Sequence, residues 1–259
     1  MIFYAQDKDL TQIIELWNEC FPGETDFTNY FFENLYRKEN TIVLKVDEQI
    51  VAMLQMLPYE SSMGDVTYIY GVATAKNHRK KGYAEQIMNK SFEISRERGH
   101  KFSVLIPAEA WLFDFYKKYG YETRFYYKTI GMKNYIVKDI SCKLNYDDFE
   151  DFCEIYENAI KGDFFIKRDR KYFEHQINLY GDGAMKYVED GEIIGYSFGY
   201  FKDDVMIIDE IFATDINKCL QSFSEVSCRT YGTEQAIGVI KVLGDENLPN
   251  NGYFNLMFN

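Results

Sequence analysis

The stretch that most constrains this chain is a strand, a basic loop and a helix start that follow one another between residues 66 and 84. Residues 66–74 are mostly β-branched or aromatic, which predicts a strand. A helix start leaves backbone amides without intrahelical acceptors, and Gly82 has no side chain to keep an anion away from them. Ala84 keeps the first helical turn slim. The loop also carries three cations, namely Arg79, Lys80 and Lys81. The stretch therefore predicts a site for an anion such as a pyrophosphate.

The segments that follow give this stretch an α/β setting. A helix that begins at Gly82 has an apolar stripe and ends at Gly99, a residue type common just past a helix end. Residues 102–106 predict a buried strand that Pro107 closes. A short aromatic helix comes next and ends in the sequence Tyr116-Lys117-Lys118-Tyr119-Gly120-Tyr121.

Two of these motifs, in this order and spacing, resemble the signatures of the GNAT superfamily of N-acetyltransferases. The first is Arg-x-x-Gly-x-Ala at residues 79–84, which in that superfamily binds the pyrophosphate of acyl-CoA. The second is the helix end that begins at Tyr116. The resemblance implies acetyl-CoA as co-substrate, and it implies that Tyr116 is the catalytic proton donor to the leaving thiolate. The cofactor-binding residues that it implies are Val72, Ala73, Thr74, Arg79, Lys80, Lys81, Gly82, Tyr83 and Ala84.

An isolated glycine, Gly71, interrupts the predicted strand, as glycines do at bulges or close backbone approaches. In the superfamily a bulge here parts two parallel strands, so that the pantetheine arm can pair with the backbone. One amide of residues 72–74 would then polarise the thioester carbonyl.

The acceptor side is expected near the first two helices. In the superfamily, the segment that joins these helices lines the acceptor pocket. The resemblance therefore implies a substrate-binding set of Glu24, Asp26, Phe27, Tyr30 and Phe31. The residues alone leave another interpretation open, in which the aromatic side chains belong to the core and the acids cap a helix.

The implied reaction is the direct transfer of an acetyl group to a primary amine of a small molecule or peptide. An alkylamine with a pKa of about 10.4 must lose a proton before it attacks. Three carboxylates are candidates for the base: Glu24, Glu60 and Glu109. The alternative function is a non-catalytic acyl-CoA-binding or sensing protein, which would bind the cofactor without releasing thiol.

The second half of the chain repeats the first in outline. Residues 146–160 and 171–179 predict helices, and the endings of two strands correspond, at residues 72–74 and 212–214. The glycine and the basic cluster are missing after Thr214. We therefore predict an α/β (α+β) fold of two tandem GNAT-like domains, each a mixed twisted sheet flanked by helices: an N-acetyltransferase domain at 1–135 and a degenerate one at 136–259.

This tandem arrangement resembles the enhanced-intracellular-survival group of aminoglycoside acetyltransferases. Members of that group commonly carry a third domain, for which the 259 residues leave no room. The resemblance therefore predicts neither aminoglycoside specificity nor a catalytic role for the terminal carboxylate.

Composition narrows the partners further. The net charge of −12 disfavours nucleic-acid binding over the whole surface and makes the basic loop a local exception. No apolar run reaches the roughly 20 residues of a membrane span, and the N-terminus lacks a signal pattern. Five cysteines with no Cys-x-x-Cys pair and three scattered histidines predict no metal site. The expectation is a cytoplasmic protein without membrane or nucleic-acid partners; a homo-oligomer is left open.

Overall fold

The structure is a computed structural model that describes residues 1–23, 25–160 and 162–255. These residues divide into two compact units. Unit 1 comprises residues 1–60, 64–122 and 239–248, and unit 2 comprises residues 61–63, 123–238 and 249–255.

Strands and helices are interspersed along the described chain. The strands are β1 Ile2–Tyr4, β2 Thr41–Val46, β3 Gln49–Ser61, β4 Gly64–Thr74, β5 Phe102–Leu105, β6 Glu122–Lys133, β7 Ser141–Lys143, β8 Phe164–Phe165, β9 Ala184–Glu189, β10 Glu192–Lys202, β11 Val205–Ala213, β12 Glu225–Tyr231, β13 Gln235–Val242 and β14 Gly252–Tyr253. The helices are α1 Leu10–Cys20, α2 Thr25–Tyr30, α3 Tyr83–Glu97, α4 Ala110–Lys117, α5 Phe149–Ala159, α6 Arg170–Tyr180 and α7 Ile216–Leu220.

Unit 1 is a mixed sheet with the strand order β1-β2-β3-β4-β5-β13. Strands β1 to β3 pair antiparallel, β4 and β5 pair parallel, and β13 pairs antiparallel with β5. A parallel pair needs a crossover connection, and α3 supplies it between β4 and β5. Helices α1 and α3 both contact β4. The strand predicted at residues 66–74 is therefore a central element of its unit.

Local sequence accounts for these elements. Asp47 and Glu48 both adopt left-handed backbone angles, with φ of 47° and 65°, as a two-residue hairpin turn between β2 and β3 requires. Helix α1 buries Ile13, Leu16 and Trp17, which follow the i, i+3, i+4 spacing of one helical face.

Unit 2 repeats the topology of unit 1 with one shortened element. Its sheet order is β6-β12-β11-β10-β9-β7, and β11 and β12 form its parallel pair. Residues 206–208 pair with 226–228, just as 66–68 pair with 102–104 in unit 1. The crossover helix is reduced from the 15 residues of α3 to the five of α7. The predicted fold of two tandem domains, each a mixed sheet flanked by helices, is confirmed.

A buried ion pair lies in the core of unit 2. The guanidinium of Arg168 donates to both carboxylate oxygens of Glu210, at 2.7 and 2.8 Å. The side chains are 1% and 0% exposed. The hydroxyl of Tyr253 also donates to Glu210, at 2.9 Å, and the Tyr156 ring lies 3.7 Å from the guanidinium carbon. Glu210 on β11 is thus fully paired within the core.

The two units differ from the predicted division at residue 135 in three segments, namely 61–63, 123–135 and 239–248, and strand pairing explains the two longer ones. Residues 123–133 of β6 pair antiparallel with β12, so they belong to unit 2. Residues 239–242 of β13 pair with β5, so this late segment belongs to unit 1. Both assignments rest on strand pairing over about a hundred residues or more, which a local sequence pattern does not report.

Candidate active site

The site is built at the end of β4. The pairing of β4 with β5 covers only Val66–Tyr68, whereas β4 continues for six more residues to Thr74. Gly71 lies within this extension and adopts φ of +56°, a left-handed conformation that favours glycine. The irregularity expected at Gly71 is therefore present, at the point where the resemblance puts the pantetheine arm.

Trp17 of α1 packs directly against Gly71. An ideal Cβ added to Gly71 would lie 2.4 Å from Trp17 Cζ3, closer than real atoms approach. Trp17 itself is only 2% exposed. Glycine is thus required at position 71 for two reasons. The backbone angle disfavours other residues, and Trp17 leaves no space for a Cβ atom. Trp17 is not among the site residues predicted from the sequence.

The basic loop is anchored at its start. The Lys76 amide donates to Glu19 Oε1 at 2.7 Å, and Arg79 Nε donates to the Thr74 carbonyl at 3.2 Å. The rings of His78 and Tyr83 stack across the loop with centroids 6.2 Å apart. These contacts hold the loop against the end of β4 and the start of α3.

The end of the loop leaves backbone amides accessible. Gly82 precedes α3 in a left-handed conformation, with φ of +77°, and Lys80 adopts φ of +62°. A Cβ at Gly82 would meet no atom within 4 Å. Over the described residues, the amides of Lys80, Lys81 and Gly82 make no hydrogen bond, and the first bond of the helix runs from the Gln86 amide to the Gly82 carbonyl. Such a cradle of amides, with exposed cations beside it, fits a pyrophosphate.

The corresponding helix start of unit 2 is closed. Asp215 caps α7, and its carboxylate accepts a hydrogen bond from the Lys218 amide at 3.2 Å. A carboxylate of the protein thus occupies an amide there, and its negative charge repels a second anion. The two helix starts therefore differ, and the absence of a nucleotide site in unit 2 stays a prediction.

Tyr116 lies at the end of α4. Gly120, with φ of +83°, ends the helix, and the Tyr119 amide donates to the Tyr116 carbonyl at 2.9 Å. Tyr116 is 7% exposed and packs edge to face on Phe115 and Tyr121, with centroids 5.2 and 6.0 Å away. Its hydroxyl has no hydrogen-bond partner in the described part of the chain. Burial, with a smaller contribution from Tyr119, raises the pKa of Tyr116 well above its usual value, so the hydroxyl keeps its proton.

The predicted acceptor residues fall into two groups. Asp26 is exposed on α2, and Phe27 and Tyr30 are half-buried on the same helix. Phe31, by contrast, is 0% exposed and stacks on Trp17 with centroids 4.9 Å apart. Phe31 therefore belongs to the core next to this region, because it has no exposed surface that a substrate could contact. Glu24 lies outside the described residues.

Two of the three candidate bases, Glu60 and Glu109, lie in the described part of the chain. Glu109 precedes α4, is exposed and accepts a hydrogen bond from Trp111 Nε1 at 2.8 Å. Glu60 is exposed near the end of β3. Neither has a geometry that marks it as the base.

Two further findings concern metal ions and membrane spans. Within the described residues, no group of three or more His, Cys, Asp or Glu side chains is placed to hold a metal ion. None of the described helices combines the length and apolar character needed to cross a bilayer.

Comparison with protein families identifies the class. Residues 2–124 match the model of the acetyltransferase (GNAT) domain, and this range contains both motifs. The matched segment of unit 1 is therefore similar to a GNAT acetyltransferase domain, and the protein is an acyltransferase that uses acetyl-CoA. No curated protein matches the sequence significantly.

Comparison with solved structures extends the likeness to both units. A conserved protein of unknown function from Enterococcus faecalis is 15% identical with a TM-score of 0.76, over 94% of this chain and 72% of that one. A GCN5-related N-acetyltransferase from Anabaena variabilis is 16% identical with a TM-score of 0.74, over 94% and 73%. Eis1 from Mycobacterium abscessus is 11% identical with a TM-score of 0.64, over 94% and 73%. At these identities the likeness shows the fold, and it includes the tandem type expected from the sequence.

Proposed function

We propose that this protein transfers the acetyl group of acetyl-CoA directly to a primary amine of a small molecule or peptide. The observation that carries the proposal is the open amide cradle before α3, on the same unit as the buried, protonated hydroxyl of Tyr116.

The cradle is the proposed pyrophosphate site. The amides from Lys80 to Ala84 would donate to the phosphate oxygens, and the helix dipole favours the anion there. Lys80 and Lys81 are exposed and would add charge. Arg79 already donates to the Thr74 carbonyl, so in our proposal it shapes the loop as well as attracting the anion. Tyr83, half-buried at the start of α3, stacks on His78 and would fix the loop edge.

The extension of β4 is the proposed acyl site. Residues 72–74 follow Gly71 beyond the β4–β5 pairing, where their backbone groups would face the pantetheine arm and the thioester. An amide that donates to the thioester carbonyl stabilises the negative charge of the tetrahedral intermediate. A general acid then assists the departure of the thiolate, and Tyr116 has the proton for this step.

The acceptor amine is proposed to enter beside α2. Asp26 would attract an ammonium group, and the rings of Phe27 and Tyr30 would offer cation–π and apolar contacts. The negative net charge of −12 favours the approach of a cationic substrate. The five cysteines are free, which suits a reducing compartment, and we propose that the protein acts in the cytoplasm.

Thiol release from acetyl-CoA tests the proposal. Purified full-length protein is incubated with acetyl-CoA and each of a panel of amines (aminoglycosides, polyamines and lysine-ended peptides), and free CoA thiol is measured against controls without amine. The proposal predicts amine-dependent release with at least one class, and mass spectrometry should show one added acetyl group per thiol. Tight acetyl-CoA binding without release from any amine would favour a sensing protein instead.

A further inference from the structure

One side chain, that of Trp17, covers the glycine that precedes the proposed acyl site. Trp17 lies against Gly71 so tightly that a single added carbon would be 2.4 Å from its ring. Gly71 sits in the part of β4 that extends beyond the pairing with β5. The residue directly before the proposed thioester-facing backbone is thus covered by an indole ring.

The indole is held in this position from several sides. Its ring stacks on Phe31 at 4.9 Å and contacts the rings of Phe21 at 5.0 Å and Phe32 at 5.4 Å. Tyr70, the neighbour of Gly71, lies 5.8 Å away. Trp17 is 2% exposed, so no open solvent-filled space surrounds it. Because the ring is packed against four aromatic side chains, its rotation would require them to move as well.

We propose that Trp17 determines the length of the acyl group that the enzyme accepts. This inference rests on the proposed function and adds to it the donor class: acetyl-CoA in preference to acyl-CoA with longer chains. A longer chain that continues past the thioester carbonyl towards Gly71 would need the volume that the indole fills. Trp17 acts on the choice of donor and takes no part in the proton transfers.

Simple core packing would explain the burial of Trp17 equally well, but it predicts a different outcome on mutation. If Trp17 only packs, its loss lowers stability and affects all acyl donors in proportion. If it sets the chain length, its loss raises the use of longer donors relative to acetyl-CoA. The ratio of kcat/KM with a longer donor to kcat/KM with acetyl-CoA therefore distinguishes the two roles.

The test compares Trp17→Leu and Trp17→Ala with Leu16→Ala. Leu16 immediately precedes Trp17 on α1 and is 4% exposed. Its truncation to alanine also removes core packing, but it leaves the indole ring beside Gly71 in place. For each protein, kcat/KM is measured with acetyl-, butyryl- and hexanoyl-CoA and one amine. Calorimetric Kd values for acetyl-CoA and hexanoyl-CoA give a second readout that needs no turnover.

At about tenfold per excluded methylene, the wild type should use butyryl-CoA about 100-fold less efficiently than acetyl-CoA. Either Trp17 variant should raise the butyryl-to-acetyl ratio by about tenfold or more, and Leu16→Ala should leave it unchanged. Leucine fills more of the space left by the indole than alanine does, so Trp17→Leu replaces Trp17→Ala in the test if the alanine variant does not fold. Equal use of acetyl and hexanoyl donors by the wild type, or an unchanged ratio in folded Trp17 variants, would overturn the inference while leaving the transferase activity intact. Absence of turnover in the wild type with every donor would instead overturn the proposed function.

Discussion

A pair of glycines at the two ends of α3 allows the anion site to be tested apart from stability. Gly82 precedes the helix with φ of +77°, and Gly99 follows it with φ of +79°. Both are exposed, and a Cβ at either would meet no atom within 4 Å. Valine at either position must therefore adopt the same disfavoured backbone conformation, and its Cβ meets no other atom at either site.

Because the two glycines have similar backbone angles, the two valine variants should lose similar stability but differ in acetyl-CoA affinity. A left-handed conformation costs an L-residue roughly 1–2 kcal/mol, and a β-branched residue at the upper end, so both variants should lose a similar free energy of unfolding. Only Gly82→Val places a branched side chain over the amide cradle. A hydrogen bond to a charged group contributes about 1.5–3 kcal/mol, so each one lost should weaken acetyl-CoA binding roughly 10- to 150-fold.

Calorimetric titration with acetyl-CoA at fixed salt measures the affinity, and urea unfolding measures the stability. We expect Gly82→Val to bind far more weakly than the wild type and Gly99→Val to bind as the wild type does. Equal affinities for the two variants, at equal loss of stability, would refute the placement of the pyrophosphate at the start of α3.

Three further predictions concern charge and stability. Arg168→Met should cost about 3–5 kcal/mol of unfolding free energy in urea, because it leaves the buried side chain of Glu210 without its ion-pair partner. Arg170→Met removes two exposed ion pairs and a contact with the Tyr146 ring, and it should cost under about 1 kcal/mol. Similar losses in the two variants would contradict the account of the buried pair. Burial lowers the pKa of His100, so the unfolded chain takes up a proton on this side chain at higher pH than the folded chain does. The unfolding free energy should therefore fall as the pH drops below about 6.5. This decrease should be smaller in His100→Gln. Acetyl-CoA binding should weaken as salt rises from about 0.05 to 0.5 M, and less steeply once Lys80 and Lys81 are changed to glutamine; parallel slopes would exclude these lysines from the site.

Elements with strong local signals could be predicted from the sequence alone. The periodic apolar face of α3 and the glycine after it give its bounds within two residues, and β4 extends the predicted strand by two residues at its start. The boundary between the units could not be predicted in this way. Residues 239–242 belong to unit 1 because they pair with residues 102–105. The local sequence of either segment does not indicate which strand it pairs with.

The same distinction applies to the site. Gly82 and Tyr116 were predicted because each stands in a motif whose residues are close in sequence. Trp17 was missed because it reaches the site across 54 residues of chain, although the isolated Gly71 was a signal that something approaches the strand closely. Phe31 was predicted as a substrate contact, yet it is enclosed by neighbouring aromatic rings. Aromatic composition alone does not separate a pocket wall from the core behind it.

Single-turnover thiol release by Tyr116→Phe tests the central claim most directly, with Tyr119→Phe as the matched control from the same helix end. Loss of the proposed general acid should slow the chemical step roughly 100-fold or more in Tyr116→Phe and leave its acetyl-CoA affinity nearly unchanged. Tyr119→Phe, whose ring is half-buried nearby, should react at close to the wild-type rate. A Tyr116→Phe enzyme that releases thiol as fast as the wild type would contradict the account.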